Sequence, residues 1–209
     1  MTERRIAVVS AGLSQPSSTR MLADRLAEAT VRRLEEKGVA VQVDTVELRD
    51  VARDVTNNLV TGFPSATLDR TIELVTGADG LIAVTPIFTT SYSGLFKSFF
   101  DVVDPTALER MPVLIGATGG TERHSLALEY AMRPMFTYLH GIVVPTSVYA
   151  ASVDWGSAAD AVSSLPDRIE RAAGEFAALV ESSERSTMVK DPFALDGTFA
   201  AALGGFEAE

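Results

Sequence analysis

The chain has 209 residues, a formal charge of −10, 46% apolar residues and no cysteine. That length fits one α/β domain with a tail, and the lack of cysteine excludes disulfides, thiolate metal sites and thiol catalysis. The acidic balance argues against nucleic-acid binding, which needs clustered Lys and Arg, and two histidines are too few for a multi-histidine metal site.

No run of about 18 apolar residues occurs, so no membrane span is expected. The start Met1-Thr2-Glu3-Arg4-Arg5 has no apolar signal core, which makes the cytoplasm the default compartment. Residues 5–10 (Arg-Ile-Ala-Val-Val-Ser) read as a first strand. A helix is predicted over 17–37 from the stripe Leu22, Leu26 and Ala29, with Gly38 as its stop. The β-rich run 39–46 gives strand two, and the polar stretch 47–63 reads as a long surface connection.

A helix over 65–77, capped by Ser65, leads to the apolar strand 80–85, which stops at Pro86. Loop 86–93 is followed by a helix over 94–103 and a fourth strand over 112–118. Gly119-Gly120-Thr121 then turns the chain into a helix over 122–139, with His140 at its end as a C-terminal cap. A fifth strand is expected over 142–149 and a last helix over 158–182. The alternation predicts a flavodoxin-like, doubly wound parallel sheet of five strands, in the order 2-1-3-4-5, with helices on both faces. Residues 1–182 form this domain, and 183–209 read as a linker and tail, either loose or a docking arm carrying Phe193, Phe199 and Phe206.

In such a sheet, ligands bind beyond the carboxyl ends of the strands at the switch point. The first loop there holds Ser10, Ser14, Ser17, Ser18 and Thr19 at a helix start, a place suited to phosphate. The bland alternative is an ordinary N-cap at Ser17 or Ser18. The loop is neither a Walker P-loop nor a G-x-G-x-x-G turn. The second loop, Thr85–Gly94, mixes aromatic and hydroxyl groups, and the third, Gly116–Thr121, leaves its backbone open. A ligand with a phosphate at one end and a flat polar ring at the other fits the set, as flavin mononucleotide (FMN) does. Singly, Phe88 and Tyr92 read equally well as packing or a dimer contact, and the diglycine as a tight turn. Trp155 borders the site or packs; packing is the commoner role.

Over residues 4–180 the chain resembles the NADPH-dependent FMN reductase family. Ala11-Gly12-Leu13-Ser14, Ser17 and Thr19 stand in its first motif, Thr85, Pro86, Ser91, Gly94 and Lys97 in its second, and Ala117-Thr118-Gly119-Gly120 in its third. Ser14 replaces the family's phosphate-binding arginine, for which Arg20 is a partial substitute, and Ile87 and Thr89 replace a glutamate and an asparagine. The resemblance implies FMN held by Ser10, Leu13, Ser14, Ser17, Ser18, Thr19, Pro86, Ile87, Phe88, Thr89, Ser91, Thr118, Gly119 and Gly120. It implies NADPH or NADH as donor of hydride to flavin N5, no catalytic side chain and no metal. Arg123 and His124, beside the third loop, are candidates to meet the nicotinamide dinucleotide; His124 reads also as a flavin-ring contact, or as a solvent-facing or capping histidine. It further implies a homodimer, or a tetramer built from it, formed by the 94–103 helix and the Phe88–Tyr92 stretch, and a separate flavin-dependent monooxygenase as recipient of reduced FMN. A flavodoxin-type electron carrier and a quinone or azo reductase on the same fold are the alternatives.

Overall fold

The computed structural model describes residues 3–155, 164–183 and 185. Its first strand, β1 (Glu3–Ser10), is followed by α1 (Ser18–Glu35), β2 (Ala40–Glu47), α2 (Ala52–Thr61) and α3 (Ala66–Thr76). Then come β3 (Gly80–Phe88), β4 (Ser91–Tyr92), α4 (Gly94–Asp101), β5 (Pro112–Gly119), α5 (Arg133–Tyr138), β6 (Ile142–Val143), β7 (Val148–Ala151) and α6 (Leu165–Glu181). The main path of the sheet runs β2-β1-β3-β5-β6, all parallel, which is the predicted 2-1-3-4-5 winding.

The sheet has seven strands rather than the expected five. One extra strand is β4, which folds back antiparallel on the end of β3, pairing Ile87 with Tyr92 and Phe88 with Ser91. Pro86 therefore sits inside β3 instead of ending it. Pairing with β1 has already stopped at Val84, so its missing N–H breaks no bond on that side. The hairpin turns at Thr89 and Thr90, both with positive φ (48° and 71°), the hand that two-residue hairpins favour and β-branched residues resist. The other extra strand comes from the predicted fifth strand, split into β6 and β7, which both pair with β5. Pro145 lies in the break, where a proline cannot donate to the ladder.

Three helical expectations change. The polar connection 47–63 holds a short helical turn, Leu48–Val51, and then α2, which ends at Gly62 with φ 79°. Only Val55 of α2 is buried, so its apolar stripe was too thin to read. The predicted helix 122–139 is broken into a turn at Glu122–His124, a wider π turn at Leu128–Met132, and α5. Pro134 lacks the N–H that a continuous helix would return to Tyr130. The last helix begins at Leu165 on a Ser164–Asp167 capping box. Positions 158–163 of its expected span, and the tail from 186 onward, lie outside the described residues.

Alternation along the strands divides the core into two layers. Ile6, Val8, Ile82, Val84 and Leu114 face α1 and α6. Ala7, Val9, Leu81, Ala83, Val113 and Ile115 face α2–α5, where Phe96, Phe99, Phe100 and Phe136 pack edge to face. The segment read as a linker is anchored in its described part. Arg185 donates to the carbonyls of Ala107 (2.7 Å), Thr76 (3.2 Å) and Glu109, at the amino end of the sheet. Burial pushes its pKa below the ordinary arginine value against the pull of Asp79 and Glu109. The carboxyl ends of the strands carry the loops of interest.

Candidate active site

The loops after β1, β3, β5 and β7 enclose a cavity of about 410 Å³. From the first loop come Gly12, Leu13, Ser14, Ser18 and Thr19, and from the end of β3 come Pro86, Ile87 and Phe88. The end of β5 adds Thr118, Gly119 and Gly120, and the turn after β7 adds Ser152 and Trp155. No side chain of this lining is charged.

The first loop is shaped by its contacts. Ser17 is the N-cap of α1, its Oγ accepting from the Arg20 N–H at 3.2 Å. Its hydroxyl is thus committed to the helix, and it does not line the cavity. A Cβ on Gly12 would stand 2.0 Å from that Oγ, so only glycine lets the loop close over the cap. No acidic residue occupies the first turn of α1, which leaves the positive end of its dipole uncancelled. Ser10, at the end of β1, is buried with its Oγ unpartnered among the described residues.

Loops one and three are joined. The Thr19 and Thr118 hydroxyls share a buried hydrogen bond of 2.8 Å across the cavity floor. Behind the third loop, the Tyr149 hydroxyl donates to the Thr121 carbonyl at 2.8 Å. Burial, then Glu122 and Asp154, push the Tyr149 pKa above its ordinary value, so the phenol keeps the proton it donates. A Cβ on Gly119 would lie 2.1 Å from that hydroxyl, whereas one on Gly120 would meet nothing within 4 Å. The second loop is closed by Thr85, whose Oγ1 accepts from the Ser93 N–H at 3.0 Å.

Ten of the fourteen residues predicted to hold a ligand line the cavity together. Ser10 lies at the end of β1, Ser17 is spent as a cap, and Thr89 and Ser91 sit in the β3–β4 hairpin away from the wall. Arg123 and His124 stand on the turn beyond Thr121, Arg123 exposed and His124 half-buried, and neither lines the cavity. Arg20 is turned toward carboxylates: it donates to Asp24 at 2.7 Å and Glu47 at 2.8 Å. The Asp24 hydrogen bond, partly opposed by burial, holds its pKa above the ordinary value. It therefore does not take over the missing loop arginine. His140 follows the C-cap Leu139 in a left-handed conformation (φ 59°), donating its N–H to Thr137 at 3.0 Å.

Sequence reasoning missed Arg49, which donates to the Ser14 carbonyl at 3.0 Å and pairs with Glu47, bracing the loop from the turn after β2. It also missed Ser152 as a wall residue and Tyr149 as a prop. The signal lay in the loop after the last strand, one more carboxyl-end loop at the switch point.

The arrangement offers an anion a helix start rich in hydroxyls, and offers a flat ring two backbone loops. The family model described as NADPH-dependent FMN reductase matches residues 4–156. The chain belongs to this family. Within the NADPH-dependent FMN reductase family, it is 34% identical over 177 residues to an FMN reductase (NADPH) of Pseudomonas aeruginosa, covering 84% of this chain and 91% of the relative. It is 33% identical over 172 residues to the NADH-dependent FMN reductase SfnE of Pseudomonas putida, covering 82% and 90%. Among solved structures, an oxidoreductase from Corynebacterium diphtheriae superposes with a TM-score of 0.82 at 44% identity, over 87% of this chain and 98% of that one. The apo form of an NADH:FMN oxidoreductase, EmoB, gives 0.68 at 26% identity, over 84% and 89%. Family membership makes the chain an oxidoreductase.

Proposed function

We propose that the chain reduces FMN with a nicotinamide dinucleotide and hands the reduced flavin to a separate acceptor. The observation that carries this reading is the meeting of three loops, joined through Thr19 and Thr118, at the carboxyl end of β1, β3 and β5. The residues fit the flavin. The Ser10 hydroxyl is buried without a partner among the described residues, the Ser14 and Ser18 hydroxyls in the lining make no hydrogen bond among them, and a Cβ at Gly120, also in the lining, would project into open space. When bound, FMN supplies the hydride-accepting chemistry at N5; the chain contributes position and electrostatics.

Ser14 and Ser18, with the first N–H groups of α1, would hold the phosphate by hydrogen bonds and the helix dipole, and the Thr19–Thr118 bond would fix the loop behind them. Pro86, Ile87 and Phe88, which line the same cavity, would border the flavin ring. The backbone of Thr118–Gly120 presents N–H groups where negative charge develops on reduction. Tyr149, tied to the Thr121 carbonyl, fixes that turn. Arg123 and His124, on the turn beyond Thr121, would bind the dinucleotide of the donor. NADPH and NADH both fit this reading, since relatives are named for each. A flavin-dependent monooxygenase is the proposed recipient and the cytoplasm the proposed compartment; among the described residues no helix is long and apolar enough to cross a membrane.

The protein acts as a homodimer in this reading. A groove of about 530 Å³ between α4 and α5, floored by Phe100, Val103, Met135 and Leu139, is edged by Tyr130 and Tyr138, which are 80% and 74% exposed. The test of function is loss of the reduced-nicotinamide absorbance with and without added FMN. Saturable stimulation by FMN is the expected result. Flavin binding without turnover would favour the electron carrier, and no response to FMN would reject the flavin assignment.

A further inference from the structure

The turn Ser152–Trp155 after β7 brings Ser152 and Trp155 to the cavity. Trp155 is the chain's single tryptophan. Its indole packs on the core layer beneath α1 and α6, and the Arg25 guanidinium lies over the ring, 4.9 Å from the centroid. The turn is pinned as well: the Asp154 carboxylate accepts from the Ala151 N–H at 2.7 Å and pairs with Arg168. A ring held by a cation on one face and carried on a braced turn has little freedom to leave the wall.

The charges around the cavity give this contact a purpose. The lining carries none, and the first loop contributes only Gly12, Leu13, Ser14, Ser18 and Thr19 to it. Arg20 and Arg49, the arginines beside that loop, share the Glu47 carboxylate, and each pairs with a further aspartate, Asp24 or Asp50. Arg25 forms no salt bridge among the described residues and lies over the indole instead. It belongs to α1, the helix whose first turn brings Ser18 and Thr19 to the same cavity. The tryptophan reaches the cavity, and an arginine without a salt bridge among the described residues backs it.

We propose that Trp155, backed by Arg25, is a flavin-binding residue that favours phosphorylated over unphosphorylated flavin. The indole forms the wall beside the ribityl-phosphate half of the ligand, and Arg25 lends the positive potential that the first loop lacks. This assignment rests on the reading of the cavity as an FMN site and goes beyond it by naming a residue pair that discriminates FMN from riboflavin.

Titration of flavin-stripped protein with FMN and with riboflavin tests it, using Trp155→Ala, Trp155→Phe and Arg25→Leu beside wild type. The single indole N–H resonance of wild type shifts on FMN addition and saturates with the binding curve. W155A weakens FMN binding about tenfold, as loss of a packed aromatic contact does, while W155F stays within about threefold. R25L weakens FMN about threefold and leaves riboflavin unchanged, the mark of a charge effect on the phosphate. Should W155A fail to fold, the indole resonance and R25L decide alone. Wild-type affinity in both W155A and R25L, or an indole resonance that FMN does not move, overturns the assignment while leaving the FMN site standing. A wild-type protein that binds neither flavin sinks the FMN site, and this assignment with it.

Discussion

The adjacent glycines of the third loop, Gly119 and Gly120, look equivalent in the sequence and are not so in the fold. Gly119 faces the Tyr149 hydroxyl at a distance no Cβ can share, and Gly120 faces open space. Gly119→Ala is expected to displace the tyrosine, break its bond to Thr121 and cost about 1–3 kcal/mol of stability. Gly120→Ala is expected to lie within about 0.5 kcal/mol of wild type. Thermal melts of the two variants check this, and an equal loss in both would contradict it. The same contrast shows what was legible at this scale. Hydroxyl types and their order pointed to the loop, because donors at a helix start suit an anion. Which hydroxyl is free is set by geometry: Ser17 takes the N-cap and withdraws, while Thr19 pairs with Thr118, a partner 99 positions away. Local patterning cannot report such distant partners; for Arg20 the i,i+4 pair with Asp24 was legible in the sequence, whereas Glu47, across on β2, was not.

Strands covered on both faces were read well because burial makes them continuous apolar runs, as in β1, β3 and β5. Elements held by polar contacts were not. The break between β6 and β7 is secured from outside the sheet: Arg133 donates to the Val144 and Pro145 carbonyls, and Glu175 accepts from the Thr146 N–H and hydroxyl, both at 2.7 Å. Burial acts to raise the Glu175 pKa, but the two Thr146 bonds and Arg171 outweigh it and leave the carboxyl below its ordinary value. A carboxylate with a depressed folded-state pKa adds stability that is present above the unfolded value and lost as pH falls through the folded one. Acidification below the ordinary carboxylate range should therefore loosen the β6–β7 break. Glu175→Gln is expected to cost about 1 kcal/mol at neutral pH and to remove this part of the acid dependence. Melting temperatures of both proteins against pH test it; parallel curves would rule Glu175 out as a source.

Across the whole molecule, winding and switch point followed from the order of elements alone, since right-handed crossovers leave few alternatives. Assembly is not encoded in that order. If the groove between α4 and α5 joins two copies, sedimentation of wild type gives a dimer, and Tyr130→Glu with Tyr138→Glu shifts it to monomer while the far-ultraviolet circular dichroism is kept. A monomeric wild type would refute the dimer. The uncharged cavity wall has a kinetic consequence. Both proposed ligands are anions, and they approach a body of net charge −10 with no charged side chain in the wall to draw them in. Long-range repulsion then slows encounter most in dilute buffer, where the screening length is about 30 Å, and relaxes as that length shrinks to about 8 Å at physiological ionic strength. Stopped-flow capture of FMN should accelerate as salt is added, the reverse of an attractively steered enzyme. Such a protein takes up flavin more readily at physiological ionic strength than in dilute buffer.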